Sequence, residues 1–452
     1  MRINYNNKGD YTREVIYLNK NIRILIFLLL LSTRIPIGIN ANISYNPLDG
    51  GWIEVIDGVT ILHVSGSNYE MGYQHGYLLN DMVNKNYDIL FNSDPSGEIY
   101  DEMYEVWNNT VKHHVPHRYI EEMQGLADGS GRPFNDVAVF VMGHDAFGGR
   151  DSGCMEMAAW DSATADGKLH HFYSYDVDLN KHDPTSNKYL QENQIIMIRK
   201  PNNGFASLQG FYAGTFAGCG GINEQEIAIS MEFSPSDRIE LNVTFIWFRM
   251  INVLDNASTV EEAIDIMVSN RNGAMNYVIS DGKIPKSFIC EEIVNYSYVG
   301  TWNNDIESTK PFWQIENVVR RKNMYIHPTT SKTQRKIYDP RIYLFIGLIT
   351  GEPWFNTWSF YKTLSQEIEK KWGTLNSSNI LSIARSIYNG ETNIYLKLLE
   401  ILGLEGFSSF HQWVACPETG DILISFADGN NQAQYNIIHQ FNLFNLLESE
   451  PP

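Results

Sequence analysis

Gly153-Cys154-Met155-Glu156-Met157-Ala158-Ala159-Trp160, with Thr164-Ala165-Asp166-Gly167 and the run Lys168–Asp176 behind it, decides how this chain is read. Two strand-like runs flank a turn tetrad that ends in Asp-Gly, which predicts a hairpin. The cysteine follows a turn-forming, glycine-rich stretch (Gly143, Gly148, Gly149, Gly153) and begins the first strand. A cut between Gly153 and Cys154 would give Cys154 both a thiol and a free α-amine. The ordinary pKa of an α-amine is about 7.7–8.0, so near neutrality it can act as a base. It can then take the proton of its own thiol, making one residue both nucleophile and base. Glycine before the cysteine leaves the carbonyl to be broken sterically open. Uncut, the same residue is a buried structural cysteine at a strand start.

Working outward, 452 residues with 43% hydrophobic and 19% charged residues exclude a disordered chain. Thirty-four Lys and Arg stand against 53 Asp and Glu, a net charge of −19 that argues against a nucleic-acid partner. The four cysteines are too few for a disulfide framework and lack zinc-ligand spacing; no cofactor and no metal is expected. His113-His114-His117 and His170-His171 read as surface or ordinary polar residues, because adjacent strand positions point to opposite faces.

The run Ile24 to Leu31, preceded by Arg2, Lys8, Arg13, Lys20 and Arg23, is too short to span a bilayer. Residues 1–41 read as a signal peptide or signal anchor, with cleavage near Ala41. No later run is long enough to span, so no membrane span is expected in the mature chain. Asn-x-Ser/Thr sequons at Asn42, Asn108, Asn242, Asn256, Asn295 and Asn376 agree with a secreted or lysosomal, glycosylated protein.

Residues 42–153 are predicted to be mostly helical after a hairpin at 51–66 around Asp57-Gly58. A Ser67–Glu70 capping box opens the first helix, in which Gly72 and Gly76 suggest a tight helix contact. Helices follow at Asp101 to Val115 and from His117 to Ala127, the latter stopped by Gly129 and Gly131. In 154–452, strands are expected at 193–199, 205–212, 226–233, 276–280 and 287–293. Helices are expected at 243–254, 258–268 (capped by Ser258 to Glu261), 341–349, 357–370 and 378–388, with a hairpin at 409–426. The fold class is α+β, with antiparallel sheet in the middle.

Gly153-Cys154, Ala158-Ala159-Trp160, Ala163-Thr164-Ala165-Asp166-Gly167-Lys168-Leu169 and Asp176 together resemble the nucleophile hairpin of the penicillin acyltransferase/acid ceramidase group, which are N-terminal-nucleophile (Ntn) hydrolases. Tyr69 to Gly76, Glu122 to Ala127, Gly221-Ile222-Asn223-Glu224 and Asp255 to Ala263 resemble further segments of that group in the same order, covering roughly residues 50–430.

The resemblance implies an αββα four-layer sandwich and a precursor that cleaves itself before Cys154. The new terminus would cleave N-acyl amides through a thioester, passing the acyl group to water or an amine. The implied partner is a small-molecule N-acyl substrate, lipid included. Asp176 takes the family's acidic position beside the α-amine. Asn323 is similar to the family's oxyanion asparagine, and either Arg335 or Arg341 stands for a later arginine. Two departures are visible. Glu156 lies close to the nucleophile, where an acid disfavours a thiolate. Tyr173 replaces the family's substrate-binding arginine, which favours a neutral acyl amide. An inactive glycoprotein of the same fold, or an esterase or phospholipase, are the alternative readings.

Overall fold

In the hairpin that carries Cys154, side chains sort by the two-residue period of a strand. Met155, Met157 and Ala159 pack with Phe360, Leu364, Ile380 and Leu381 of two helices. Ala158 and Trp160, on the other face, pack with Val278 and Ile289 of a second sheet. The hairpin is therefore covered on both sides, and nearly all of its residues are buried, polar ones included. The computed structural model describes residues 46–147, 153–177, 179–180, 182–304, 306–342, 355–392, 397, 408–429 and 431–451. The leader, Asn42, Gly148, Gly149 and most of the helix expected at 341–349 lie outside these residues.

Among the described residues the hairpin belongs to a six-stranded sheet. Its spatial order is Val318–Arg321, Gly153–Asp161, Gly167–Asp176, Ser409–Cys416, Asp421–Phe426 and His439–Asn442, all neighbours antiparallel. A nine-stranded sheet faces it, in the order Trp52–Ile56, Val59–Gly66, Gln194–Pro201, Ser207–Tyr212, Gly220–Asn223, Ile227–Phe233, Met275–Asp281, Lys286–Ile293 and Tyr296–Gly300. Val59–Gly66 and Gln194–Pro201 run parallel; the other neighbours are antiparallel. The two sheets touch directly. A Cβ on Gly210 would stand 2.5 Å from Ile424 of the opposite sheet.

Helices Asn68–Leu78, Ile246–Asn256 and Val260–Val268 pack on the outside of the large sheet. Asn356–Lys370 and Ser377–Tyr388 cover the outside of the small one. The layers thus run helix, sheet, sheet, helix, the αββα order that the resemblance implies. The part before Cys154 adds more than helices, since its hairpin Trp52–Gly66 forms one edge of the nine-stranded sheet.

Asn68–Leu78, opened by the Ser67–Glu70 capping box, lies against His117–Ser130 with the two backbones in contact. A Cβ on Gly72 would come 1.9 Å from the Glu122 carbonyl oxygen, and one on Gly125 2.0 Å from that of Tyr69. Gly129, expected to stop the second helix, stays inside it because this contact needs it: a Cβ there would meet the Tyr73 carbonyl at 2.3 Å. The stop is Gly131, left-handed at φ 73°. The helix expected over 101–115 is Glu98–Asn109 followed by one 3-10 turn, because Thr110 leaves helical geometry (φ −134°, ψ −69°). The cap expected at Ser258 sits one residue on: Thr259 accepts from the Glu262 N–H, while the Glu262 carboxylate takes the N–H of Ser258.

Candidate functional site

Cys154 stands second in its strand, opposite Tyr175, and only 3% of it is exposed. Its backbone N–H donates to Asn323 Oδ1 at 2.9 Å. Its Sγ lies 3.3 Å from the Tyr173 hydroxyl. Gly153 pairs with Asp176 across the hairpin. Because faces alternate, the Asp176 carboxylate projects to the opposite side of the sheet from the thiol. There Oδ1 accepts from Ser174 at 2.7 Å, and Oδ2 accepts from Tyr388 at 2.6 Å and from Lys322 at 3.1 Å. Thiol and carboxylate thus flank the 153–154 peptide bond from two sides.

The strand Val318–Arg321 pairs with the cysteine strand and runs out beside Cys154. Two consecutive residues beyond it supply the site. Lys322 turns to the helix face, under the rings of Phe360 (4.6 Å) and Tyr388 (5.8 Å). Asn323 turns to the intersheet face, where its Nδ2 donates to the Phe233 carbonyl at 2.6 Å. Asn323 sits at φ 25°, a conformation that costs a non-glycine residue about 1–3 kcal/mol and that collects at functional sites.

Below the thiol lies a buried polar layer between the sheets. Glu156 accepts from Ser230 at 2.6 Å, and Glu232 accepts from Asn276 at 2.8 Å. One oxygen of each, Glu156 Oε1 and Glu232 Oε2, is buried with no hydrogen-bond partner among the described residues. His171 bridges Ser280 and Ser230 at 2.8 Å each. Both His170 and His171 are buried, where the sequence pointed to ordinary or surface positions. They do face opposite sides: His170 contacts Ser377 and Asp166.

Burial dominates the electrostatics. It pushes the Cys154 thiol well up, aided by the negative charge of Asp176 and opposed by the Tyr173 bond and by Lys322. Asp176 is raised by burial and pulled back by Lys322, Tyr388 and Ser174. Glu156 is raised to about 7 by burial, and Glu232 is raised by burial and by the charge of Glu156. Tyr173, raised well above its usual value by burial, is a neutral donor. His171 falls to about 3, so it is uncharged.

Asn323 and Tyr173 therefore touch Cys154 directly, while Asp176 sits on the neighbouring strand opposite Gly153 with its carboxylate on the other face. For Asn323 the group facing the cysteine is the side-chain oxygen rather than the amide NH₂. The cation beside Asp176 is neither Arg335 nor Arg341. The Arg341 guanidinium donates to Ser331 and lies over Phe312, while the Arg335 backbone N–H bonds to Pro235. It is Lys322, which sequence reasoning missed. Three adjacent cations, Arg320-Arg321-Lys322, carry no local mark of burial, yet all three are fully buried. Cys219, Cys290 and Cys416 are buried, as is Cys154.

Of the sequons, Asn108, Asn242, Asn256 and Asn295 are exposed. Asn376 is half-buried and accepts from the Asn379 N–H as the cap of Ser377–Tyr388. Asn223, of the Gly221–Glu224 turn, ties its loop to a helix end. Its Nδ2 donates to the carbonyls of Leu254 and Ala257, and its Oδ1 accepts from the N–H groups of Gln225 and Ile227.

No family model matches the chain. An uncharacterized protein of Archaeoglobus fulgidus is 22% identical over 322 residues, 61% of this chain. The chain spans about half (52%) of the length of that relative. Among solved structures, the N-acylethanolamine-hydrolyzing acid amidase ortholog of Caenorhabditis elegans aligns at TM-score 0.35 and 11% identity, over 64% of this chain and 99% of that one. Conjugated bile acid hydrolase from Clostridium perfringens aligns at 0.36 and 13%, over 65% and 93%. Penicillin V acylase from Agrobacterium tumefaciens aligns at 0.39 and 14%, over 64% and 86%.

Proposed function

We propose that this chain is an Ntn cysteine hydrolase that cuts itself before Cys154 and then hydrolyses or transfers the acyl group of neutral N-acyl amides, in a secretory or lysosomal compartment. One observation carries the reading. Asn323 Oδ1 accepts from the Cys154 N–H, the Tyr173 hydroxyl lies on its thiol, and Asp176 pairs with Gly153 on the neighbouring strand. After cleavage the amide nitrogen of Cys154 becomes a free amine that can keep its hydrogen bond to Asn323. It takes the thiol proton; the thiolate adds to the substrate carbonyl. The C–N bond then breaks, and the leaving amine takes the proton back from the α-ammonium. Water, or an acceptor amine, attacks the thioester and restores the thiol. Tyr173 brings a hydroxyl but no positive charge, so a substrate carboxylate gains nothing there and a neutral acyl group is favoured. The deep burial of Cys154 in the uncut chain, and Glu156 nearby, support a second reading in which the fold persists without catalysis.

A denaturing gel with N-terminal sequencing decides between them. Two fragments, the later one beginning Cys-Met-Glu-Met, are expected, with Cys154→Ala leaving one chain. An intact wild-type chain at both acidic and neutral pH supports the inactive reading. Turnover of a fluorogenic fatty-acyl amide against its oxygen ester then separates amidase from esterase or phospholipase.

A further inference from the structure

We propose that Lys322 is the positioning residue that keeps Asp176 ionised beside the new amino terminus. The inference rests on the hydrolase reading above and names a residue to which that reading gives no part.

Three observations carry it. First, Lys322 is completely buried, its Nζ is 3.1 Å from Asp176 Oδ2, and Asp176 is equally buried. A buried carboxylate costs several kcal/mol to desolvate, so Asp176 needs a counter-charge at this distance to stay ionised. Second, among the described residues the groups around Asp176 leave it one cation, Lys322. Tyr388 from the helix Ser377–Tyr388 and Ser174 from its own strand are neutral donors. Burial opposes its charge, and Lys322 leads the factors that favour it. Cys154, on the neighbouring strand, and Glu232, across the sheets, feel the Lys322 charge too, while Phe360 offers it a ring face. Third, Lys322 adjoins Asn323. One strand end therefore places the cation on one face of the sheet and the acceptor of the Cys154 N–H on the other.

The chemical consequence follows from charge. When the α-amine of Cys154 accepts the thiol proton it becomes an ammonium, which an ionised Asp176 stabilises and a protonated one does not. Loss of Lys322 leaves Asp176 holding its proton to higher pH, and the acid limb of activity moves upward with it.

The test is kcat/KM against pH for full-length processed wild type, Lys322→Met and Lys322→Arg, on a fluorogenic fatty-acyl amide. Lys322→Met should displace the acid limb upward by about one unit or more, equivalent to a roughly tenfold larger loss on the acid side than at the plateau. Lys322→Arg should restore the limb. A folded Lys322→Met enzyme with the wild-type limb overturns the proposal, as does an arginine variant no better than the methionine one. If the methionine variant does not fold, Lys322→Arg decides: a wild-type limb supports the assignment and a displaced limb overturns it. Failure of the hydrolase reading looks different, because the wild type itself would then be uncut and silent.

Discussion

The Sγ of Cys154 lies 3.3 Å from the hydroxyl of Tyr173, which stands two residues before Tyr175, the cross-strand partner of Cys154. Both groups are buried and both titrate well above their usual range, so each is neutral in the uncut chain. The phenol can donate to sulfur as the thiolate forms, the moment at which such a bond is strongest.

Tyr173→Phe removes that donor and little else, since the ring stays packed against His411 and Trp413. A hydrogen bond to a charged group is worth about 1.5–3 kcal/mol, so kcat should fall roughly ten- to hundredfold. The thermal midpoint should change little. An unchanged kcat in the processed enzyme removes Tyr173 from the site chemistry.

Glu156 makes stability depend on pH in a stated direction. Its folded pKa, about 7, exceeds the ordinary carboxylate value of 4.5 because burial penalises its charge. Between these values the folded state holds the proton more tightly than the unfolded chain does. Stability from this group is therefore present below pH 4.5 and lost as pH rises through 7. Glu156→Gln should be more stable than wild type at pH 8, by on the order of 1–3 kcal/mol, and gain nothing at pH 4. His171 works oppositely: with a folded value of about 3 against 6.5 unfolded, it costs stability as pH falls through that window. Denaturant titrations of Glu156→Gln and wild type across this range check the sign.

The paired glycine helices give a steric prediction. Gly72→Ala puts a methyl 1.9 Å from a carbonyl oxygen of the partner backbone, which cannot rotate away. It should cost at least the upper end of the overpacking range, about 3 kcal/mol, or prevent folding. Gly131→Ala meets nothing within 4 Å and is strained only by φ 73°, so about 1 kcal/mol is expected. Comparable melting temperatures for the two would contradict the helix contact.

Asn223→Ala tests whether the Gly221–Glu224 turn is structural. It deletes four hydrogen bonds, two from the loop to a helix end and two within the turn itself. At roughly 1 kcal/mol each, a loss of about 2–4 kcal/mol is expected. Chemical denaturation measures it, and kcat of the processed enzyme at a permissive temperature should stay at the wild-type value.

Local signals made much of this chain legible. The hairpin at Cys154, the capping box at Ser67, the Asp57-Gly58 turn and the close-approach glycines Gly72 and Gly76 each obey a rule that acts over a few residues, and each appears as read. Gly129 misled for an instructive reason. A glycine ends a helix or lets two helices touch, and only the presence of Tyr73 across the contact distinguishes the two.

Alone, the sequence determined the alternation of strand and helix, the cysteine that begins a hairpin, and the count of charges. Tertiary structure alone decided which charges are buried and what they face. Arg320, Arg321 and Lys322 are three adjacent cations whose partners, Glu307, Glu291 and Asp176, lie 13, 30 and 146 residues away. Desolvation depends on every layer stacked around a group, and only the αββα stack brings those layers together. No window of sequence contains the sum.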